Sequence, residues 1–169
     1  WQDGRYPPDD PPTDGLAAAR TMAMVSYRTH ASFQQRFGRE RQSDNGAAHP
    51  PFAVESYLRY HGQKLVDRFD ANCYVHLTQQ MDAHDVSRER GAYPEVLQQI
   101  EQPALVVGID SDVLYPLTEQ EELAAHLPHA DLQVLNSPHG HDAFLIEQDA
   151  LNAMIVRWKN AHAASTLAS

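Results

Sequence analysis

Residues 104–112 read Ala104-Leu-Val-Val-Gly-Ile109-Asp-Ser-Asp112, a continuous apolar run that ends on two aspartates. Continuous rather than alternating apolarity predicts a strand buried on both faces, as in a parallel sheet that is covered by helices. Proteins of the α/β class place ligands and catalytic groups at the carboxyl ends of such strands. The two aspartates therefore stand where a functional group is expected.

The sequence after this strand predicts a helix, a second strand and a polar loop. Thr118 begins the helix, and Glu121, three residues later, completes a capping box. Residues 131–135 alternate between polar and apolar side chains, as a strand with one buried face does. The loop that follows reads Ser137-Pro-His-Gly-His141-Asp142-Ala-Phe144.

Asp112 after the first strand and His141 after the second resemble the acid and base of an acyl-transfer triad. In α/β-hydrolase enzymes the chain order is nucleophile, acid, histidine. The nucleophile should then lie upstream on a Gly-x-Ser-x-Gly turn, but none of the nine serines has glycine at both flanking positions, and Cys73 lies in a helical pattern. We therefore expect the chain to be the C-terminal part of a larger enzyme, with the nucleophile half absent.

Composition excludes several classes of partner. The chain carries 13 basic and 23 acidic residues, a net charge of −10, which argues against nucleic acid and anionic membranes. No apolar run approaches the roughly 20 residues that a membrane helix needs. The single cysteine, Cys73, excludes an internal disulfide and fits a reducing compartment. The expected location is the cytoplasm.

Helical patterns fill most of the chain before the first strand. Apolar spacing predicts helices over residues 15–28, 31–37 and 52–69, and a further helix to residue 81 that Asp70 caps. Residues 39–51 are polar and predict a loop. After the second strand, apolar spacing predicts a last helix over residues 143–160. Because two strands make a poor sheet alone, we expect other strands to complete it.

Ordered motifs along nearly the whole chain, from about residue 15 to 158, resemble the homoserine O-acetyltransferase family. That family has close relatives that acylate serine or deacetylcephalosporin C. The motifs are Gly15-Leu-Ala-Ala-Ala-Arg20, Ser26-Tyr27-Arg28, Arg36-Phe-Gly38, Val54-Glu-Ser-Tyr-Leu-Arg59, Phe69-Asp-Ala-Asn72, Gly108-Ile-Asp-Ser-Asp112-Val-Leu-Tyr-Pro116 and Gly140-His141-Asp142-Ala-Phe-Leu145.

The resemblance implies an α/β-hydrolase core with a helical lid inserted between strands six and seven. Residues 1–14 would be a connector, 15–92 the lid, 93–160 the C-terminal part of the core and 161–169 a tail. The implied reaction is ping-pong: a serine takes acetyl from acetyl-CoA and passes it to the hydroxyl of homoserine. No permanently bound cofactor is implied, and the lid helices would pair across a homodimer.

The resemblance also assigns residues. Asp112 matches the triad acid and His141 the triad base, whereas Arg20, Tyr27 and Asp142 match positions that line the amino-acid pocket. Arg20 and Tyr27 are seven residues apart, so on one helix they would share a side. The nucleophile and the oxyanion-hole amides have no counterpart in the chain.

Several alternatives remain open at this stage. Asp110 competes with Asp112 for the acid role, although it is also suited to forming a turn. His139, His141 and Asp142 could bind a metal, but no further ligand cluster has a recognised spacing, so we expect no metal and treat His139 as a solvated loop residue. The acceptor could be serine or deacetylcephalosporin C, or water in a plain hydrolase. A non-catalytic remnant that keeps the lid for dimerisation is the rival from another class.

Overall fold

The computed structural model describes residues 1–43 and 49–166, with side chains as far as residue 163. Parts of the predicted loop at 39–51 and of the tail at 161–169 lie outside the described residues. The chain divides into two compact units. The first unit consists of Trp1–Ser26 and Phe33–His84, and the second of Tyr27–Ser32 and Asp85–Ser169.

The first unit is helical, as its apolar spacing predicts. A 3-10 turn at Gln2–Gly4 precedes helix α1 at Thr13–Ser26. Helix α2, His30–Arg36, crosses the division between the units. Helices α3, Ala53–Val66, and α4, Ala71–Asp82, complete the unit.

A glycine allows α1 and α3 to pack closely. A Cβ atom on Gly62 would lie 2.9 Å from the carbonyl oxygen of Ala17, a distance that side chains essentially never adopt. The Thr21 hydroxyl donates a hydrogen bond to the carbonyl of Leu58 across the same contact. Leu16 on α1 and Leu65 on α3 are buried. The two helices therefore meet backbone to backbone.

Asp70 caps α4, as the sequence predicts. Its side chain accepts hydrogen bonds from the backbone N–H groups of Asn72 and Cys73. The Tyr6 hydroxyl donates to the other carboxylate oxygen at 2.7 Å. That hydrogen bond lowers the pKa of Asp70, while partial desolvation and the same hydrogen bond raise the pKa of Tyr6.

The second unit contains a parallel strand pair. Strand β1, Ala104–Ile109, pairs with β2, Ala130–Leu135, in a register that joins the first residues of both strands and the last residues of both strands. The other elements of this unit are helices: α5 at Tyr93–Gln98, α6 at Leu117–His126, α7 at Ala143–Ile146 and α8 at Gln148–Thr166. Ile109, Leu135 and Ala143 form its buried core, with Val107 and Met154 packed beside them.

Three local predictions are wrong in detail. Helix α6 begins at Leu117 after Pro116, and no side chain caps it, so the capping box at Thr118 does not form. The last helical pattern is split, because Glu147 has φ −90° and ψ 44° and separates α7 from α8. Helix α1 ends at Ser26, which leaves Tyr27 outside it.

No helix among the described residues combines the length and apolarity needed to cross a membrane.

Candidate active site

The parallel register brings Asp112 and His141 together. Ile109 at the end of β1 lies opposite Leu135 at the end of β2, so the loops that leave the two strands start at the same edge. His141 Nδ1 is 2.9 Å from Asp112 Oδ2. The Asp112 side chain is 4% exposed and that of His141 is 24% exposed. A buried carboxylate thus faces an imidazole that solvent can reach.

The loop after β1 fixes the Asp112 carboxylate. Its Oδ1 atom accepts hydrogen bonds from the backbone N–H groups of Leu114, at 2.8 Å, and Tyr115, at 3.0 Å. Oδ2 is therefore the oxygen that faces His141. Because a carboxylate only accepts, Nδ1 of the neutral imidazole carries the proton and Nε2 keeps the lone pair. This is the tautomer that a general base requires.

Asp110 makes a different contact from Asp112. Its Oδ1 atom accepts a hydrogen bond from the backbone N–H of Ser137 at 3.0 Å. The contact joins the loop after β1 to residues 137–142, which we call the histidine loop. Asp110 thus connects two backbones, and Asp112 contacts the imidazole.

Three aromatic rings surround the imidazole of His141. The ring centroids lie 5.6 Å away for Tyr27, 5.2 Å for Tyr115 and 5.4 Å for Phe144. An open pocket of about 260 Å³ lies beside these groups. Its lining consists of Val107, Gly108, Ile109, Asp112, Tyr115, Gln120, His141 and Phe144.

Of the three residues expected to line an acceptor pocket, two lie next to His141. Tyr27 contacts the imidazole ring, and its carbonyl oxygen accepts a hydrogen bond from the backbone N–H of Asp142 at 3.0 Å. The Asp142 carboxylate is buried and accepts a hydrogen bond from Arg28. Arg20 lies on α1 in the first unit. The prediction that Arg20 and Tyr27 share a helix side is wrong, because α1 ends before Tyr27.

His139 is not the solvated residue that the sequence suggests. Its side chain is 20% exposed, and Nδ1 lies 2.9 Å from the hydroxyl of Ser32. Nε2 lies 3.9 Å from the carboxylate of Glu147. Within the described ranges, no group of three or more His, Cys, Asp or Glu side chains is arranged to hold a metal ion.

Sequence reasoning missed several polar side chains that hold the histidine loop. Arg28 and Ser32 contact it from the segment Tyr27–Ser32. Ser111 donates to the carbonyl of Ser137 and accepts from the backbone N–H of Gly140. Arg28 lies in Ser26-Tyr27-Arg28, one of the motifs that resemble the acetyltransferase family, and this resemblance was a usable signal. Ser32 had none, because a serine within a short helix is unremarkable.

Comparisons with known proteins agree with this geometry. No family model matches the chain. A protein of Salinibacter ruber (strain DSM 13855 / M31) named homoserine O-acetyltransferase is 65% identical over 169 residues, which are 100% of this chain and 47% of that protein. Over its whole length, the chain is thus similar to a part of this homoserine O-acetyltransferase. It spans less than half the length of this relative.

Solved structures show the same fold at low sequence identity. A homoserine O-acetyltransferase from Bacillus anthracis superposes with a TM-score of 0.78 at 17% identity, over 94% of this chain and 44% of that one. Esterase E22 superposes with a TM-score of 0.76 at 19% identity, over 94% of this chain and 45% of the esterase. The expected α/β-hydrolase fold, of which the chain holds a part, is thus confirmed.

Proposed function

We propose that the chain supplies the acid and base of an O-acetyltransferase that moves acetyl from acetyl-CoA to the hydroxyl of homoserine. The observation that carries the proposal is the hydrogen bond between His141 Nδ1 and the buried carboxylate of Asp112. The relationship to the Salinibacter protein supports the choice of reaction. A cytoplasmic location, expected from the single cysteine, is part of the proposal.

In the first half-reaction, Nε2 of His141 takes the proton of a serine hydroxyl supplied by another part of the enzyme. The serine oxygen then bonds to the thioester carbonyl carbon of acetyl-CoA. As the carbon–sulfur bond breaks, His141 returns the proton to the leaving thiolate. Asp112 holds the imidazole and stabilises the imidazolium that forms. The products are an acetyl-serine and free coenzyme A.

In the second half-reaction, His141 takes the proton of the acceptor hydroxyl. The acceptor oxygen bonds to the acetyl carbon, the serine oxygen leaves, and His141 returns the proton to that serine. An amino-acid acceptor carries a carboxylate and an ammonium, so its pocket needs one group of each opposite charge. Arg20 has the planar fork that suits a carboxylate, whereas Tyr27 and Asp142 lie beside the base.

Homodimer formation through α3 and α4 is a further part of the proposal. Tyr60 is 54% exposed, Leu77 44% and Met81 65%. Exposed apolar side chains on successive helices of one unit can form part of a protein interface. Cys73 on α4 is exposed as well. A second copy of this surface is the partner that we propose.

The test uses a chimaera, in which these 169 residues replace the matching segment of the Salinibacter protein. Mass spectrometry after mixing with acetyl-CoA measures the acetyl-enzyme, and coenzyme A release with homoserine, serine or deacetylcephalosporin C measures transfer. We expect acetylation, and the fastest transfer to homoserine. Steady release of free acetate, unaffected by any acceptor, would identify a hydrolase instead. Acetyl-CoA consumption no faster than that of a His141→Ala chimaera would reject both activities.

The 169-residue chain alone should not turn over acetyl-CoA. It contains no Gly-x-Ser-x-Gly turn, so His141 has no positioned serine to activate. Turnover by the purified chain above that of its own His141→Ala variant would show that this reasoning is wrong.

A further inference from the structure

The carboxylate of Asp142 is already paired in the second unit. Arg28 Nε lies 3.0 Å from Asp142 Oδ2, and the two side chains are only 10% and 12% exposed. A buried carboxylate without a partner is strongly unfavourable, and a guanidinium is the cation best suited to burial beside it. Asp142 therefore depends on Arg28 for a compensating charge and for its orientation.

Arg28 is also connected, through Ser32, to His139 earlier in the histidine loop. Its Nη1 atom donates to the hydroxyl of Ser32 at 3.5 Å, and that hydroxyl lies 2.9 Å from Nδ1 of His139. Ser32 is 1% exposed. Because a guanidinium only donates, the Ser32 hydroxyl accepts from Arg28 and can donate its own proton to His139. Arg28 is thus connected to both His139 and Asp142, the residues two before and one after His141.

Backbone contacts hold the same segment against the loop. The N–H of Asp142 donates to the carbonyl of Tyr27 at 3.0 Å, and the hydroxyl of Thr29 donates to the carbonyl of Pro138. Gly140 has φ +66°, and a Cβ atom there would lie 3.2 Å from the backbone of both Tyr27 and Thr29. The segment Tyr27–Ser32 and the histidine loop are therefore in contact at several points. Arg28 makes the contact between charged side chains.

We propose that Arg28 is a positioning residue for the acceptor. It holds the Asp142 carboxylate in the orientation that receives the ammonium group of the acceptor. The inference rests on the function proposed above. Arg28 binds Oδ2 and so limits the orientations that Oδ1 can adopt. Without Arg28, the carboxylate would rotate or turn away from the buried site. The reaction with acetyl-CoA needs neither charge, so the effect should be confined to the second half-reaction.

A purely structural role for Arg28 makes a different prediction. If Arg28 only kept the histidine loop folded, its loss would displace His141 together with Asp142. Both half-reactions would then slow by similar factors. Separate measurement of acetyl-enzyme formation and of transfer to homoserine distinguishes the two roles.

The experiment compares Arg28→Ala, Arg28→Lys and the wild-type chimaera. For Arg28→Ala we expect the KM for homoserine to rise about 10- to 100-fold, the range for losing one hydrogen bond between charged groups. The rate of acetyl-enzyme formation should change by no more than about twofold. Arg28→Lys keeps the charge but not the planar fork, so its KM should lie between the other two.

Two further variants keep the test decisive. Arg59→Ala removes an exposed arginine that pairs with Glu55 on α3, and it should leave both half-reactions unchanged. Arg28→Ala combined with Asp142→Asn removes both charges of this buried pair, and it should fold even if Arg28→Ala does not. Because it lacks the Asp142 carboxylate, its KM for homoserine should also be high while its acetylation survives.

The outcomes separate this inference from the function on which it rests. An active wild-type chimaera whose Arg28 variants keep a normal KM for homoserine would overturn the inference alone. Equal losses in both half-reactions, in Arg28→Ala and in the double variant, would do the same and leave Arg28 with a structural role. A wild-type chimaera that transfers acetyl to none of the acceptors would overturn the proposed function, and the inference with it.

Discussion

The histidine loop and helix α3 hold their polar side chains in opposite ways. In the histidine loop, Asp142 pairs with Arg28, which is 114 positions away, and both side chains are nearly buried. On α3, Arg59 pairs with Glu55 one helical turn away, and the two side chains are 78% and 44% exposed. The first pair is a buried contact between residues far apart in the sequence, whereas the second is an exposed contact within one helix.

The difference indicates where chemistry is expected. An exposed pair within one helix is screened by solvent and contributes little. A buried polar group must be hydrogen-bonded, and breaking a buried ion pair costs about 3–5 kcal/mol. Such pairs are therefore candidates for a functional role, since stability alone does not favour burying them. The following predictions test whether this contrast holds, in order of decreasing effect.

The largest effect is expected from the Asp112–His141 pair. In the chimaera, His141→Ala and Asp112→Asn should each lower kcat by about 10⁴-fold, because the first removes the base and the second disturbs its tautomer. Single-turnover acetylation by acetyl-CoA measures this loss. Circular dichroism must show that the variants remain folded. If folded Asp112→Asn retains most of its activity, Asp112 is not the triad acid.

A smaller effect is expected from the acceptor residues. Arg20→Ala should raise the KM for homoserine about 10- to 100-fold, since it removes a charged hydrogen bond to the carboxylate. Asp142→Asn should raise the KM for homoserine by a similar factor, because it removes the charge that pairs with the ammonium group. The amide oxygen still accepts a hydrogen bond from Arg28. Acetyl-enzyme formation should survive in both variants. Loss of acetylation with normal use of homoserine would instead move these residues to the donor site.

Asp110 provides a matched comparison with Asp112. Asp110→Asn keeps an oxygen that can accept from the backbone N–H of Ser137, so kcat in the chimaera should fall by no more than about tenfold. The same single-turnover assay as for Asp112→Asn measures it. A loss as large as that of Asp112→Asn, in folded protein, would reverse the assignment of the acid.

Local rules predicted that an aspartate after β1 would meet His141 after β2, and the family resemblance favoured Asp112 over Asp110 for that contact. A continuous apolar run predicted β1, an alternating run predicted β2, and parallel strands end at the same edge of a sheet. The helices follow from their apolar spacing, and Asp70 followed from capping preferences. The boundaries were less certain: α1 ends before Tyr27, and Glu147 interrupts the last helical pattern.

The polar contacts that hold the histidine loop could not be predicted in this way. Ser32 and His139 are 107 positions apart, and Arg28 and Asp142 are 114 apart. No periodicity or turn rule relates residues at such distances. The same limitation explains why His139 was expected in solvent. A polar loop residue is usually exposed, and only the tertiary fold brings Ser32 to its ring.

Self-association should be sensitive to the exposed face of α4. Met81→Glu places a charge where a 65% exposed apolar side chain lies, and should raise the dimer dissociation constant about tenfold or more. Sedimentation velocity of the chimaera at micromolar concentrations measures this constant. Gln79→Glu, which adds the same charge to an exposed position of the same helix, is the control. A wild-type chimaera that stays monomeric would reject the proposed interface.

The smallest effect is expected from Asp70, where an exposed polar contact joins distant residues. Tyr6 lowers the pKa of Asp70 by hydrogen bonding to its carboxylate. A group whose pKa is lowered by folding stabilises the folded chain above its ordinary pKa, and loses that effect as pH falls through the lowered value.

Asp70→Asn keeps an oxygen for the helix cap, so it removes chiefly the charged contact with Tyr6. Thermal melts should therefore show a slightly lower midpoint for Asp70→Asn at neutral pH than for the wild type. This gap in midpoint should close as the pH falls below the ordinary pKa of an aspartate and through the lowered pKa of Asp70. In a Tyr6→Phe background, Asp70→Asn should lower the melting midpoint less at neutral pH. The control is Asp67→Asn, at an exposed aspartate beyond the end of α3, and its effect on the midpoint should be the same with and without Tyr6→Phe. A gap that stays constant between neutral and acid pH would mean that the carboxylate charge contributes nothing, and that Asp70 acts as an uncharged cap.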